Sequence, residues 1–188
     1  MKTDGVALRM DTDGRSTVLL LGSTGRTGRR VLEQFLERNV EVRTIVRSAT
    51  RLPAGTVANP RLTVIEADVS TLSQEVLLDQ VRGCSAVVSC LGHTTDLKGI
   101  FGPPRDLVTR ATERVCRAVV ELQPKTSVKF VLMSSVSVSR SKRLDLRRGV
   151  MEQVFLGLLC ALVPPARDNQ DAADFLCGEF GQDNPFVE

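Results

Sequence analysis

Three glycines spaced three residues apart, Gly22, Gly25 and Gly28, carry the clearest chemical signal in this sequence. They follow an apolar run at 18–21 and precede a segment with helical periodicity. Glycines in that order of strand, turn and helix permit a sharp turn, leave space for a pyrophosphate, and let the helix pack closely on the strand. The amide groups and the positive dipole end at the helix start then attract the phosphates. The pattern predicts a dinucleotide-binding turn, and a glycine-rich turn without a ligand is the alternative.

The end of the second predicted strand favours NADPH over NADH as the nucleotide. Sites for NAD usually place an acidic residue there, which accepts hydrogen bonds from the ribose hydroxyls. This sequence has Arg47 directly after the strand and Arg51 one short turn later, with no acidic residue between Val42 and Asn59. An arginine at this point suits the 2′-phosphate of NADPH. The alternative is a pair of solvated surface arginines.

Two further strand ends supply candidate contacts to the nucleotide. Asp68 and Val69 follow the third predicted strand, where a carboxylate and a backbone group can meet the adenine amino group. A helix cap or turn residue is the alternative for Asp68. Leu91 and Gly92 follow the fourth strand, where glycine lets the backbone approach the ribose side of the cofactor. We expect these residues at the site because open α/β sheets bind ligands at the carboxyl ends of their strands.

The candidate catalytic groups are two serines and one histidine. Ser134 and Ser135 end the fifth predicted strand, where a hydroxyl can position a substrate or relay a proton; a pair of small turn residues is the alternative. His93, the only histidine of the chain, follows the fourth strand. It is a candidate general acid, but we favour an exposed loop residue. For Cys90 we expect a buried, inert thiol rather than a reactive group beside the cofactor.

Alternating strands and helices must position these residues. Apolar and β-branched runs predict strands at 18–21, 41–46, 62–66, 86–89 and 128–133, with a sixth opening at 186–187. Periodicity predicts helices at 27–39, 72–81 and 106–122, one within 146–163 that Pro164 and Pro165 break, and one at 170–179. The segments 47–60 and 94–104 are predicted loops. This alternation predicts an α/β fold, a Rossmann-type doubly wound parallel sheet in three αβα layers with strand order 3-2-1-4-5(-6).

Composition and charge exclude several classes of protein. The 188 residues predict one NAD(P)-binding domain at 16–188, after a flexible polar tail at 1–15 without a signal peptide. A net charge of +3 gives no argument for nucleic acid, and the longest apolar run, 154–163, is too short to cross a membrane. The five cysteines lack C-x-x-C spacing, which argues against a zinc site and favours a reducing compartment, so we expect a cytoplasmic protein. The five cations within 140–148 suit an acidic substrate or a membrane surface, but a solvated loop is favoured.

Together these motifs resemble the atypical, NmrA-type short-chain dehydrogenases and reductases, and most of all their biliverdin-IXβ reductase and flavin reductase group. The resemblance covers residues 17–140 and implies an NADPH-dependent reductase of a small-molecule acceptor such as a flavin, a quinone or a tetrapyrrole. It implies that the glycine turn and the arginines hold NADP(H), and that the serine after the fifth strand lies near the nicotinamide. The residues given these roles are Gly22, Thr24, Gly25, Arg26, Thr27, Arg47, Arg51, Asp68, Val69, Leu91, Gly92 and Ser135, and Gly28 and Ser134 complete the expected site.

The sequence departs from the pattern of short-chain dehydrogenases at two points. Ordinary members use a Tyr-x-x-x-Lys pair as acid and orienting group, and this sequence has no tyrosine. The flavin reductase group also lacks that pair, so its members need only position hydride donor and acceptor. The family also continues through a sixth strand and a substrate-covering segment, whereas this sequence stops at Glu188. A non-catalytic NADP(H)-binding redox sensor or scaffold, and an inactive fragment, are therefore the alternatives.

Overall fold

The computed structural model describes residues 16–93, 105–134, 164–180 and 184–187. Four features named above lie outside the described residues: the tail at 1–15, the loop at 94–104, the basic stretch at 140–148 and the helix expected within 146–163. Ser135 lies outside them as well.

A parallel sheet of five strands forms the centre of the described fold. Its strands are β1 (Thr17–Leu21), β2 (Glu41–Val46), β3 (Leu62–Glu66), β4 (Ala86–Ser89) and β5 (Lys129–Leu132). They lie in the order β3-β2-β1-β4-β5, and every neighbouring pair is parallel. The order predicted from the sequence is confirmed. The continuous apolar run of β1 lies in the middle, where residues Val18 to Leu21 are fully buried, because helices cover both faces of the sheet.

Four helices complete the described layers: α1 (Arg26–Glu37), α2 (Gln74–Val81), α3 (Leu107–Leu122) and α4 (Pro164–Glu179). On one face, Leu32 of α1 packs in a cluster with Val18 and Leu20. On the other face, Leu77 of α2 and Val115 of α3 share a cluster with alternate strand residues such as Leu19 and Val87. Helix α4 packs against α3. Alternation along each strand therefore divides the core into two halves, as a three-layer fold requires.

Local signals explain where α1 and α2 begin and end. Asn39, predicted to stop the first helix, has a left-handed φ of 59° just after α1, which asparagine tolerates better than most residues. The second helix begins at Gln74 rather than at 72, because the Ser73 hydroxyl accepts a hydrogen bond from the amide of Val76 and so caps it. Two short 3-10 turns, Ala49–Arg51 and Thr56–Ala58, occupy the predicted loop at 47–60.

The last described helix corrects one prediction. The sequence predicted a helix broken by Pro164 and Pro165 and another starting at Gln170, whereas the described helix α4 already includes Pro164. Proline suits the first turn of a helix, since its fixed φ is already helical and it lacks an amide that would need an acceptor. Both prolines therefore belong to a helix, and this places Asp168 in its buried face.

The residues predicted to open a sixth strand lie beside β5. Val187 forms a parallel bridge with Val128, whose amide donates to the carbonyl oxygen of Phe186 at 2.8 Å. Asn184 caps this segment by accepting hydrogen bonds from the amides of Phe186 and Val187. In the part of the chain that the structure describes, no helix has the length and apolar character needed to cross a membrane.

Candidate functional site

The carboxyl ends of the strands enclose a cleft that collects most of the predicted nucleotide contacts. It lies between the turn after β1, the residues after β2 and β3, and the start of the crossover from β4 to α3. Its lining residues are Gly22, Thr24, Gly25, Ile45, Val46, Arg47, Arg51, Ala67, Asp68, Val69, Cys90, Leu91, Gly92 and Leu107. The position agrees with the rule that ligands of open α/β sheets bind where the strand order reverses, here between β1 and β4.

The glycine turn is shaped by backbone contacts that leave no room for side chains. Gly22 has a φ of 75°, and a Cβ there would lie 2.5 Å from the carbonyl oxygen of Cys90. A Cβ on Gly28 would lie 2.1 Å from the carbonyl oxygen of Gly22, so Gly28 packs against the turn, whereas the sequence predicted close packing of the helix on the strand. Gly25 is exposed and lines the cleft. The turn thus brings the start of α1 against the mouth of the cleft.

The amino terminus of α1 offers what an anion needs. Gly25 occupies the N-cap position and has no side chain that could accept a hydrogen bond from the amides of the first turn, and that turn holds no acidic residue. The first helical hydrogen bond runs from the amide of Arg29 to the carbonyl oxygen of Gly25 at 2.9 Å. The amides of Arg26, Thr27 and Gly28 precede it and have no acceptor within the helix. These donors, the helix dipole and the exposed side chain of Arg26 fit a phosphate.

Two buried hydroxyl groups fix the glycine turn to the neighbouring strand. The Thr44 hydroxyl of β2 donates to the carbonyl oxygen of Leu20 at 2.7 Å, and the Ser23 hydroxyl donates to Thr44 Oγ1 at 2.7 Å. Both side chains are fully buried. This pair could not be predicted from the sequence, because a threonine within a β-branched strand carries no local sign of a partner in a distant turn.

The two predicted arginines both line the cleft, and a third arginine holds the segment that carries them. Arg47 and Arg51 are exposed at the end of β2 and in the 3-10 turn that follows. Arg29 of α1 donates from Nη2 to the carbonyl oxygen of Arg51 at 2.9 Å and from Nε to that of Thr24 at 3.1 Å. Arg29 therefore ties the glycine turn to the arginine-bearing turn across the mouth of the cleft.

One acidic side chain does reach this segment, from the adjacent strand. Glu66 at the end of β3 accepts a hydrogen bond at Oε1 from the amide of Ala49. The sequence search between Val42 and Asn59 could not find it, because Glu66 arrives through the pairing of β2 with β3. Its bonded oxygen is used to hold the backbone of the turn.

Asp68 also lines the cleft, and it forms a turn of its own. Its Oδ1 accepts hydrogen bonds from the amide of Ser70 at 2.9 Å and from the Ser70 hydroxyl at 2.5 Å. These bonds, with a smaller contribution from the charge of Arg47, lower the pKa of the Asp68 carboxyl. The turn role considered from the sequence is therefore present, while the contact with adenine stays a prediction.

The loop after β3 is held from the helix layer. Arg114 of α3 donates to the carbonyl oxygens of Val69 at 3.2 Å and Ser70 at 2.5 Å, and also to that of Leu72. This arginine stabilises the backbone of the segment that includes Asp68 and Val69. Nothing in the local sequence around Arg114 distinguishes it from a surface arginine of an amphipathic helix.

His93 is the clearest departure from expectation. We favoured an exposed loop residue, and that prediction is wrong, because only 6% of its side chain is exposed. Its Nε2 lies 2.8 Å from Oδ2 of Asp168 on α4, a carboxylate that is fully buried. The residue follows Gly92 directly but is not part of the cleft lining. The sequence offered no sign of this pair, because position 168 was not predicted to be helical.

The remaining candidates are divided between the described and undescribed parts of the chain. Ser134 is exposed after β5 and is not part of the cleft lining, so its role stays a prediction. Ser135, the other serine, lies outside the described residues. Cys90 lies in the cleft wall but is only 8% exposed, and burial raises the pKa of its thiol, as expected of an inert cysteine. Among the described residues, no cluster of histidine, cysteine and acidic side chains could hold a metal ion.

Comparison with known proteins identifies the family to which the chain belongs. A family model described as NAD(P)H-binding matches residues 22–176. Protein TIC 62 of rice, a chloroplastic protein from Oryza sativa subsp. japonica, is 24% identical over 143 residues, which cover 69% of this chain and 28% of that protein. An uncharacterised chloroplastic protein from Arabidopsis thaliana is 31% identical over 125 residues, covering 65% of this chain and 42% of that protein. The chain thus spans less than half the length of these curated relatives.

Solved structures share the fold at low sequence identity. A proposed NADH-flavin reductase from Streptococcus pneumoniae TIGR4 has a TM-score of 0.58 at 19% identity, covering 91% of this chain and 68% of that protein. ChuY, an anaerobillin reductase from Escherichia coli O157:H7, has a TM-score of 0.58 at 18% identity, covering 87% and 68%. MoeE5 in complex with UDP-glucuronic acid and NAD has a TM-score of 0.65 at 19% identity, covering 92% and 52%. These likenesses establish a shared architecture.

Proposed function

Because this chain belongs to the NAD(P)H-binding family, we propose that it is an NADPH-dependent reductase of a flavin, a quinone or a tetrapyrrole-like acceptor. One observation carries the proposal: Arg47 and Arg51 line the same cleft as the glycine turn and the uncapped start of α1. A pyrophosphate at the helix terminus leaves the adenosine ribose on the β2 side of the cleft. An arginine fork there suits a 2′-phosphate, which distinguishes NADPH from NADH.

The described residues divide the binding work among them. The amides of Arg26, Thr27 and Gly28 receive the pyrophosphate, since the helix gives them no acceptor. Asp68 and Val69 contact the adenine, and Leu91 and Gly92 form the wall on the ribose side. The bound nucleotide supplies a hydride to the acceptor.

Catalysis then depends on placing donor and acceptor together. The sequence has no tyrosine, and Nε2 of the one histidine lies 2.8 Å from the buried Oδ2 of Asp168. Ser135, and Ser134 beside it, stay as the predicted groups that position the acceptor or relay a proton. Orientation alone can contribute much of a rate enhancement when the reacting atoms are held in contact.

Two named neighbours support the choice of acceptor. Proteins that share this fold include a proposed NADH-flavin reductase and an anaerobillin reductase. A flavin and a bilin belong to the class of acceptor proposed here. The absence of tyrosine favours a second candidate, a non-catalytic NADP(H)-binding protein that senses redox state or holds a partner.

Oxidation of NADPH across a panel of acceptors tests the two candidates against each other. We expect turnover above the protein-free rate with at least one of a free flavin, a short-chain quinone and biliverdin. Tight NADPH binding with no turnover on any of them would favour the non-catalytic candidate. A protein whose unfolding temperature is indifferent to NADPH would contradict both candidates, because a ligand that binds the folded state must stabilise it.

The cellular compartment belongs to the proposal as well. The described cysteines Cys84, Cys90, Cys116 and Cys177 are free thiols, which suits the reducing cytoplasm proposed from the sequence. Both curated relatives are named as chloroplastic, and a plastid interior is the alternative. A fluorescent fusion of the full-length gene product, imaged in its own cells, distinguishes the two compartments.

A further inference from the structure

Asp168 of α4 carries a fully buried carboxylate that accepts hydrogen bonds from two separate segments. Its Oδ2 accepts from the amide of Val108 and from Nε2 of His93, each at 2.8 Å. Its Oδ1 accepts from the amide of Thr109 at 2.9 Å and from the Thr109 hydroxyl at 2.7 Å. The same hydroxyl lies 2.9 Å from the carbonyl oxygen of Asp168. Removing a charge from water costs free energy, and hydrogen bonds to both carboxylate oxygens offset that cost here.

The first contact replaces a cap that α3 lacks. Val108 and Thr109 are the second and third residues of α3, and their amides are those that a cap residue normally satisfies. The residue in the cap position, Asp106, makes no such bond, because its carboxylate pairs with Arg110 at 2.6 Å. Asp168 supplies the missing acceptor from another helix, at the positive end of the α3 dipole.

The second contact reaches the other end of the same crossover. A carboxylate accepts only, so His93 must donate from Nε2, which fixes its tautomer and ring orientation. His93 follows Gly92, and Leu107 precedes Val108, and both Gly92 and Leu107 line the nucleotide cleft. One carboxylate therefore holds both described ends of the connection between β4 and α3, immediately behind the wall of the cleft.

The wall that Asp168 holds is also in contact with the glycine turn. A Cβ on Gly22 would lie 2.5 Å from the carbonyl oxygen of Cys90 and 2.8 Å from the amide nitrogen of Leu91. Backbones packed this closely move together, because neither side has a compressible side chain between them. A displacement of residues 90–93 would thus disturb the turn that receives the pyrophosphate.

We propose that Asp168 is a positioning residue for nucleotide binding, which couples α4 to the cofactor cleft through His93 and the start of α3. The inference rests on NAD(P)H as the ligand of this cleft, and it does not require the reductase activity. By linkage, a nucleotide that needs the wall in this position must also strengthen the contact with α4.

The test compares Asp168→Asn with the matched variant Asp171→Asn. Asp171 lies one turn further along α4, with a side chain that is 54% exposed beside Arg167. Calorimetric titration with NADPH should give a dissociation constant raised about tenfold for Asp168→Asn, within the range for coupled sites. The Asp171→Asn protein should bind like the wild type. Hydrogen exchange at the amides of Val108 and Thr109 should slow on NADPH binding in the wild type and much less in Asp168→Asn.

Further variants separate positioning from simple stabilisation. Thr109→Val removes one of the bonds, and adding it to Asp168→Asn should weaken NADPH binding no further, since both changes break the same contact. Unchanged NADPH affinity of folded Asp168→Asn, with only a lower unfolding temperature, would overturn the proposal. The proposal would also be overturned if the losses of NADPH affinity in Asp168→Asn and Thr109→Val added up in the double variant.

Two further results are decisive in other ways. If Asp168→Asn does not fold, His93→Asn and Thr109→Val each remove a single partner, and wild-type affinity in both would overturn the proposal. If the wild type binds no NADPH, this inference and the proposed function fall together. If the wild type binds and turns over NADPH while Asp168→Asn has wild-type affinity, only this inference falls.

Discussion

Replacing Arg47 with alanine should remove the preference for NADPH while leaving NADH binding nearly unchanged. Arg47 is exposed at the end of β2 and lines the cleft beside Asp68. The pKa of the Asp68 carboxyl is lowered mainly by its hydrogen bonds from Ser70 and to a smaller extent by the charge of Arg47, so Arg47 acts on this part of the cleft. Without it, the negative charge of Asp68 would also face the 2′-phosphate unscreened. Both changes oppose NADPH and neither opposes NADH.

The size of the effect follows from the exposure of this arginine. Hydrogen bonds to charged groups contribute about 1.5–3 kcal/mol when they are well formed. Solvent screening at an exposed position brings the contribution towards the lower limit. A loss of about 1.4 kcal/mol raises the dissociation constant about tenfold. We therefore expect about a tenfold weaker NADPH affinity in low salt, and a smaller difference as salt is added.

Calorimetric titration of both nucleotides into wild type and Arg47→Ala measures the preference directly. Arg38→Ala is the matched control, because it removes the same charge from an exposed position at the end of α1, where Arg38 bonds to the carbonyl oxygen of Gln34. That variant should keep the wild-type ratio of affinities. Equal weakening of NADPH and NADH in Arg47→Ala, or wild-type affinity for both, would refute the assignment of the 2′-phosphate to Arg47.

Two substitutions test the supports of the glycine turn, and a labelling experiment tests the burial of the core cysteines. Gly28→Ala forces a Cβ to within 2.1 Å of a carbonyl oxygen, so it should lower the free energy of unfolding, measured by urea titration, by about 1–3 kcal/mol or more. Gly178→Ala in α4 is the control, because a Cβ there meets nothing within 4 Å, and it should be neutral or stabilising in the same titration. Thr44→Val leaves the buried hydroxyl of the glycine turn unpaired and should cost about 1–3 kcal/mol in the same assay; an unchanged midpoint would argue against that pair. Iodoacetamide at pH 8, followed by peptide mass spectrometry, should label the exposed Cys177 but not Cys84. Burial raises the pKa of the Cys84 thiol to about 11, so only about one thiol in a thousand is ionised at that pH. Rapid labelling of Cys84 would contradict its burial.

The sheet could be predicted closely because its strands carry local signals. The second, third and fourth strands begin and end at the predicted residues, 41–46, 62–66 and 86–89. Each is a short β-branched or apolar run bounded by turn residues, which is the pattern of strands buried in a parallel sheet. The family resemblance read from the residues after these strands is confirmed by the family match over 22–176.

The start of α4 could not be predicted in the same way, because proline has two opposite meanings near a helix. Pro164 and Pro165 stop a helix that precedes them and suit the first turn of one that follows. The packing of α4 on α3, through the hydrogen bonds of Asp168, favours a helical conformation after these prolines, and that packing cannot be seen in the local sequence. The burial of His93 was missed for the same reason, since its partner is distant in sequence.

The supports of the cleft escaped prediction because they pair side chains with backbone far along the chain. Arg29 donates to the carbonyl oxygen of Arg51, and Arg114 donates to those of Val69, Ser70 and Leu72. A sequence does not distinguish an arginine that holds carbonyl groups from one that binds phosphate. Counting basic residues near a motif therefore overstates the charge available to a ligand.

The pairing of His93 bears on which proton donors the proposed reductase needs. A general acid must bring its proton within hydrogen-bonding reach of the substrate. Nε2 of His93 lies 2.8 Å from the buried Oδ2 of Asp168, and His93 does not line the cleft, so Nδ1 is the one ring nitrogen left for a substrate. Reduction of an isolated ketone develops a localised, strongly basic oxygen and needs an acid at once. Reduction of a flavin, quinone or tetrapyrrole spreads the charge over a conjugated system that solvent can protonate later, so the acceptors proposed above need no acid from His93.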